Sequence, residues 1–308
     1  MKYFIGIDGG GSKTKCVLCD ENLNIIYSTQ SGPSNFLTIG TEAVSNTILE
    51  VINSCCKNQN IHSNKLSAIV LGTTGAGRES DAQKLESAIC QLAKIQQIDL
   101  NNFKVVSDAR IALEGAFSGN PGSILISGTG SIMFGKDKNG NIHRVGGFGR
   151  LIGDEGSGLT IGRKGLNIVA KFFDGREKES LLVKLIEKNF NIFDQSKLIT
   201  KVYNNELNIQ DVAPLVIKAA SDEDELCKNI LDEETNELLL HILAMIKHLK
   251  NDEMKIVFIG GIIANENLFS KMLKEKIHTF LPKVKIQNAD YPPEIGAVIV
   301  ARQFLEKL

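Results

Sequence analysis

Short apolar runs rich in β-branched residues predict strands over residues 3–8, 15–19 and 25–29. The turns joining them are too short for a crossover, so the three strands pair antiparallel. From residue 41 the period changes. Val44, Ile48, Val51 and Ile52 fall on one face of a helix, with Thr41 as its expected N-cap. The run "LSAIVLGTTGAG" then reads as a buried strand entering a glycine-rich loop. Residues 81–95 predict a helix with Leu85, Ile89 and Leu92 aligned, and residues 103–106 another strand. That strand breaks at Ser107-Asp108 into a helix carrying Ala109, Ala112, Leu113 and Ala116 on one side.

At Pro121 the pattern starts again. "SILISGTGSIMFGKDKNGNIHRVGG" is a strand, a glycine turn, a strand, a polar turn and a third strand, in the order of "YFIGIDGGGSKTKCVLCDENLNIIYST". The identity between the two is low, so the repeat is one of supersecondary structure. Helices are expected over 180–189, 211–220, a long stretch within 223–250, and 294–308. "MKIVFIGGIIANENLF" supplies a late strand, a double glycine and a helix. No low-complexity linker divides the halves, which predicts two closely packed domains flanking a cleft.

Composition narrows the partners. The chain has 308 residues, 43% of them hydrophobic and 23% charged, with a net charge of -1. That balance gives no electrostatic basis for binding nucleic acid or an anionic membrane. No apolar run reaches the ~20 residues that span a bilayer, and "MKYFIGIDGGG" lacks the apolar core of a signal peptide, so a cytoplasmic location is expected. Cys16 and Cys19 form a C-x-x-C, a spacing used in redox and zinc sites. Here they fall within a strand, on opposite faces, with no second pair or nearby histidine to complete a zinc site.

The glycine turns carry the candidate chemistry. "GGGSKT" resembles a P-loop but misses it, because Ser12 separates Lys13 from the glycines and a strand follows instead of a helix. A glycine turn between strands can still bring successive backbone N–H groups onto phosphate oxygens. Gly10, Gly11, Ser12, Lys13 and Thr14 form one such cradle, and Gly128, Thr129 and Gly130 of "SGTGS" a second. Two turns facing each other would hold a polyphosphate from both sides. Asp8, at the mouth of the first turn, is placed for Mg²⁺, which keeps several waters and takes one or two carboxylates. Asp108 has two readings on local sequence, helix N-cap or general base in phosphoryl transfer. The segment 145–162 has seven glycines in eighteen residues. Its Phe148, Leu151 and Ile152 predict a packed, shaped loop, and Asp154 and Glu155 with free amides suit sugar hydroxyls. Asn35 of "GPSNF" is similar in kind.

The ordered set "GIDGGGSKT", "GPSNF", "VVSDA", "ISGTGS", "GGFGRLIGDEGSG" and "VFIGGI" resembles the N-acetylglucosamine kinase-like group, the BadF/BadG/BcrA/BcrD ATPase family of the actin/hexokinase/Hsp70 superfamily. The resemblance runs through almost the whole chain. It implies an α/β protein of two ribonuclease H-like (actin-like ATPase) domains around an ATP cleft. The first would take residues 1–117 joined by the last helix, 297–308, and the second residues 118–296. It implies ATP and Mg²⁺ as cofactors, a homodimer, and an N-acetylated amino sugar phosphorylated at its 6-hydroxyl, N-acetylglucosamine or N-acetylmuramate, with glucosamine as an alternative. Asp108 would be the base. Asn35, Gly147, Phe148 and Asp154 would face the sugar, with Phe148 where the mammalian enzyme has a tryptophan, and Ser12 stands at a threonine position. Gly260 and Gly261 would pass the adenosine. Relatives that use a cysteine-rich zinc motif are disfavoured because this chain has none. The dehydratase-activating ATPases, nucleotide-gated switches, need cluster cysteines after the second phosphate motif, where only Cys227 stands.

Overall fold

The computed structural model describes residues 2–251 and 253–306. The chain divides into two compact units, one of Met1–Pro121 with Asn288–Leu308 and one of Gly122–Gln287. In the first, β1 (Tyr3–Gly9), β2 (Thr14–Asp20) and β3 (Ile25–Ser31) lead through a short α1 (Phe36–Ile39) to α2 (Thr41–Asn58). β4 (Leu66–Thr73), α3 (Glu79–Ile95), β5 (Phe103–Ser107) and α4 (Asp108–Ala116) follow. The second holds β6 (Gly122–Ser127), β7 (Ser131–Lys136), β8 (Ile142–Gly146), α5 (Gly158–Phe173), α6 (Leu181–Phe190), α7 (Gln195–Tyr203) and α8 (Ala213–Ser221). It continues through α9 (Glu225–Leu249), β9 (Lys255–Ile259), α10 (Leu268–Phe280) and β10 (Lys285–Ile286), and α11 (Pro293–Leu305) returns to the first unit.

Both sheets have the same topology. The orders are β3-β2-β1-β4-β5 and β8-β7-β6-β9-β10, the first three strands antiparallel and the last two joined in parallel. This is the ribonuclease H-like arrangement, and the repeat seen in the sequence is therefore a repeat of sheet topology. The period-2 pattern of β1 and β2 splits their side chains between two cores. Ile5, Ile7 and Cys16 pack with α2 and α3, while Phe4, Val17 and Cys19 pack with Ile295, Val298 and Ile299 of α11. Burying each of those three α11 side chains is worth about 1.5–3 kcal/mol, enough to hold the last helix to the N-terminal sheet. Cys16 and Cys19 are free, buried thiols on opposite faces of β2, as their spacing predicts.

Two local expectations are corrected. Gly40, with φ +84°, caps α2, and Thr41 is the first helical residue. The segment 209–221 enters its helix through a 3-10 turn, Ile209–Val212, because Pro214 stands at the start of α8 where only the first turn tolerates it. Among the described residues no helix is long and apolar enough to cross a membrane.

Candidate active site

In the first unit the sheet delivers four predicted features to one end. β1 and β2 pair in register to Gly9–Thr14, so the intervening residues form a hairpin turn closed by Gly10 N–H donating to the Lys13 carbonyl (3.0 Å). Gly11, Ser12 and Lys13 are exposed on it. Thr14 is buried, and its hydroxyl donates to the Gly32 carbonyl (2.8 Å), so it braces the turn from within. Two further bonds fasten neighbouring loops to this turn. Ser34 N–H donates to the Gly10 carbonyl (3.0 Å), and Thr74 N–H to the Gly9 carbonyl (3.2 Å). Asn35 follows directly and caps α1, its side-chain oxygen accepting from Leu37 N–H.

Asp108 stands at the junction of β5 and α4. The helix cap is Ser107, whose hydroxyl accepts from Arg110 N–H (3.2 Å), so the N-cap role is filled by its neighbour. The Asp108 carboxylate is oriented by two donors. Ala109 N–H reaches Oδ1 (2.7 Å) and the Thr74 hydroxyl reaches Oδ2 (2.8 Å). Thr74 has no local signal of this role in the sequence, because its partner lies 34 residues away.

Asp8, near the end of β1, lies close enough to Asp108 for their charges to interact. Burial pushes its carboxyl up to about 6 from an ordinary 3.8, with Glu294 adding to the rise, Lys15 opposing it, and Asp108 and Lys13 contributing less. Glu294, from the first turn of α11, lies 3.4 Å from the Lys15 ammonium through Oε1. Its Oε2 is buried with no hydrogen-bond partner among the described residues. Three carboxylates thus gather where the nearest cations are two lysines, and one carboxylate oxygen is left unpaired. Such a site attracts a cation. No group of three His, Cys, Asp or Glu side chains among the described residues could ligate an ion directly. The donor set therefore fits Mg²⁺ held by one carboxylate through water. Glu294 escapes sequence reading because "YPPE" reads as an ordinary helix start, with proline and an acidic residue in the first turn.

The second unit builds its loops around the turn between β6 and β7. Gly128 N–H donates to the Gly130 carbonyl (3.0 Å), and Thr129 is exposed at the tip. The glycine-rich segment is bonded to this turn at several points. Ser127 Oγ donates to the Gly156 carbonyl (2.7 Å), Ser131 Oγ to the Glu155 carbonyl (2.5 Å), and Gly158 N–H to the Gly128 carbonyl (2.8 Å). The Asp154 side chain accepts from Ser131 N–H (3.3 Å). Asp154 has φ +64°, a left-handed conformation costing a non-glycine residue about 1–3 kcal/mol, and such strain persists only where the surroundings impose it. Gly260 and Gly261 follow β9, and Ile262 N–H donates to the Ser127 carbonyl (3.2 Å).

One expectation for this loop fails. Phe148, Leu151 and Ile152 are 68%, 85% and 78% exposed, so apolar packing does not shape it. Backbone bonds do that work instead. Ile152 and Gly153 N–H both donate to the Gly149 carbonyl. The Arg144 guanidinium lies 5.9 Å from the Phe148 ring centroid and donates to the Gly146 and Gly147 carbonyls. Three apolar side chains on a hydrogen-bonded scaffold are available to a ligand. The predicted site residues therefore fall into two sets, Asp8, 10–14, Asn35 and Asp108 in the first unit and 128–130, Gly147, Phe148, Asp154, Gly260 and Gly261 in the second.

Comparison with known proteins identifies the family. Residues 5–301 match the BadF/BadG/BcrA/BcrD ATPase family. The chain is 36% identical over 307 residues to an N-acetylmuramic acid/N-acetylglucosamine kinase of Clostridium acetobutylicum, covering 98% of this chain and 99% of that one. It is 30% identical to an N-acetyl-D-glucosamine kinase of Dictyostelium discoideum, over 97% of this chain and 98% of the relative. A solved structure of a candidate N-acetylglucosamine kinase from Chromobacterium violaceum, 23% identical, superposes with a TM-score of 0.75 over 99% of both chains and shares the fold.

Proposed function

Because the chain belongs to the BadF/BadG/BcrA/BcrD ATPase family, we propose that it is a kinase transferring the γ-phosphoryl group of ATP to the 6-hydroxyl of an N-acetylated amino sugar, N-acetylglucosamine or N-acetylmuramate. The observation that carries the reading is Asp108, relieved of helix capping by Ser107 and held by Thr74 and Ala109. The near full-length relative that acts on both sugars supports the substrate class.

In this reading Asp108 takes the proton of the sugar 6-hydroxyl as that oxygen bonds to the γ-phosphorus. The bond from phosphorus to the bridging oxygen breaks and ADP leaves. The amides of residues 11–13 and 129–130, which the turns' own closing bonds from Gly10 and Gly128 leave over, receive phosphate oxygens, and Gly260 and Gly261 line the adenosine. Asn35, Asp154 and Gly147 hydrogen-bond the sugar, with Phe148 against its ring. Asp8 is the residue that would hold Mg²⁺, which would neutralise charge on the phosphates. A cytoplasmic homodimer goes with the reading, and sedimentation would test the dimer.

The direct test supplies ATP, Mg²⁺ and a panel of N-acetylglucosamine, N-acetylmuramate and glucosamine, following ADP release and phosphosugar mass together. The expected result is the 6-phosphate of one or both N-acetylated sugars. Equal ADP release without sugar, and no phosphosugar, would overturn the kinase reading in favour of a nucleotide-gated switch. Thr74 offers a finer check. A hydrogen bond to a charged group is worth about 1.5–3 kcal/mol, so Thr74→Val is expected to lower kcat by about 10-fold or more while the KM for ATP stays within about twofold. A kcat equal to wild type would remove Thr74 from the support of Asp108.

A further inference from the structure

The glycine-rich segment that carries Asp154 is gripped along one face of α9. Positions 234, 238 and 241 lie on a common stripe of that helix, spaced i, i+4 and i+7, and they meet the segment at two points, Gly156 and Gly146. Glu234 is 1% exposed, and its Oε2 accepts from Gly156 N–H at 2.6 Å. Its Oε1 pairs with Lys164 of α5, also at 2.6 Å. Leu238 occupies the space that a side chain at Gly156 would need, and Gly156 has φ +73°. The His241 ring does the same at Gly146, where φ is +70°. Its Nδ1 faces the Glu237 carbonyl at 2.8 Å and so carries the proton. Its Nε2 is buried without a hydrogen-bond partner among the described residues and stands 3.9 Å from the Glu155 carboxylate.

A buried carboxylate needs a partner, and Lys164 alone would supply one. Spending the second oxygen on a loop amide links the helix to the loop as well. The contacts fall on both ends of the 146–156 stretch, while its middle, with Phe148, Leu151 and Ile152, is open to solvent. We propose that Glu234 and His241 are positioning residues for the phosphoryl transfer: from α9 they clamp the two ends of the sugar-facing loop and so set where Gly147 and Asp154 meet the substrate. Neither touches the reacting atoms. The inference rests on the kinase reading above. It goes further by tying sugar recognition to a helix outside every motif of the family resemblance.

The test uses the full chain with Glu234→Ala, Glu234→Gln and His241→Phe. Glu234→Ala removes the acceptor from Gly156. It is expected to raise the KM for the amino sugar about 10-fold or more, with the KM for ATP within about twofold. Glu234→Gln keeps a neutral acceptor and is expected to recover to within about threefold of wild type. His241→Phe puts a larger ring where the imidazole packs closely on Gly146, displacing that end of the loop, and is expected to raise the sugar KM about fivefold. Backbone amide exchange of residues 146–158, measured without ligand, should be faster in Glu234→Ala and in His241→Phe, while exchange in β1 and β4 is unchanged. Loss of thermal stability with an unchanged sugar KM would leave Glu234 a structural ion pair and overturn its role, as would a Gln variant no better than Ala. If Glu234→Ala does not fold, Glu234→Gln and His241→Phe decide: wild-type sugar KM and loop exchange in His241→Phe overturn the clamp. Because the exchange measurement needs no turnover, it reports on the clamp even if the wild type phosphorylates no sugar, the outcome that would sink the kinase reading instead.

Discussion

Replacing Asp108 with Asn is expected to leave nucleotide binding intact and to lower kcat by about 10²–10⁴-fold, the range that a positioned general base contributes. The substitution is nearly isosteric and preserves its surroundings. The amide oxygen still accepts from Ala109 N–H, and the Thr74 hydroxyl can turn from donor to acceptor toward the new NH₂. Ser107 continues to cap α4, so the helix start is untouched. What the variant lacks is basicity, and the attacking hydroxyl then has no group to take its proton. Calorimetric titration with ATP and single-turnover phosphosugar formation would separate the two effects. A transfer rate within threefold of wild type would exclude Asp108 as the base.

Asp8→Asn is expected to stabilise the unliganded protein while abolishing magnesium-dependent nucleotide binding. The sign follows from the raised carboxyl. With a folded pKa of about 6 against an ordinary 3.8, the native state holds the proton more tightly than the unfolded chain. Stability contributed by this group is therefore highest below about 3.8, falls as pH rises to about 6, and stays low above it. Asparagine removes the penalty, which amounts to about 1–2 kcal/mol once solvent screening of this half-buried group is allowed for. Melting in the presence of a chelator should show the variant more stable by about 2–5 °C at pH 8. The advantage should shrink through pH 5 and vanish near pH 4. A gain that grows toward acid would contradict the burial and Glu294 origin of the shift. In the wild type, magnesium should recover part of the lost stability at pH 8, because the cation offsets the gathered carboxylates, and Asp8→Asn should not respond.

Strands, the repeat and the two glycine turns were all legible because each is a local pattern. Period-2 apolar runs mark the strands, and glycines between them allow only tight hairpins. The loop at 145–162 was legible in composition but not in conformation. Phe148, Leu151 and Ile152 read as core residues by hydrophobicity, yet Arg144 and the Gly149 carbonyl hold the loop while those three face solvent. Hydropathy carries no information on whether the backbone has already secured its own hydrogen bonds. Thr74 and Glu294 were illegible for another reason. Their partners, Asp108 and Lys15, are 34 and 279 residues away, and a threonine after a strand or a glutamate in a first helical turn is ordinary by itself.

From the sequence alone came the two-fold topology, the turns that can receive phosphates, and the acids at strand ends, because periodicity and turn chemistry act over a few residues. Tertiary structure decided that Ser107 caps α4 while the Asp108 carboxylate is held by Thr74 and Ala109. It also brought Glu294 to Asp8 and set the face of α9 against the glycine-rich loop. Those outcomes depend on pairings across the sheet and between distant helices, where charge, burial and hydrogen-bond direction are created by packing and belong to no single segment.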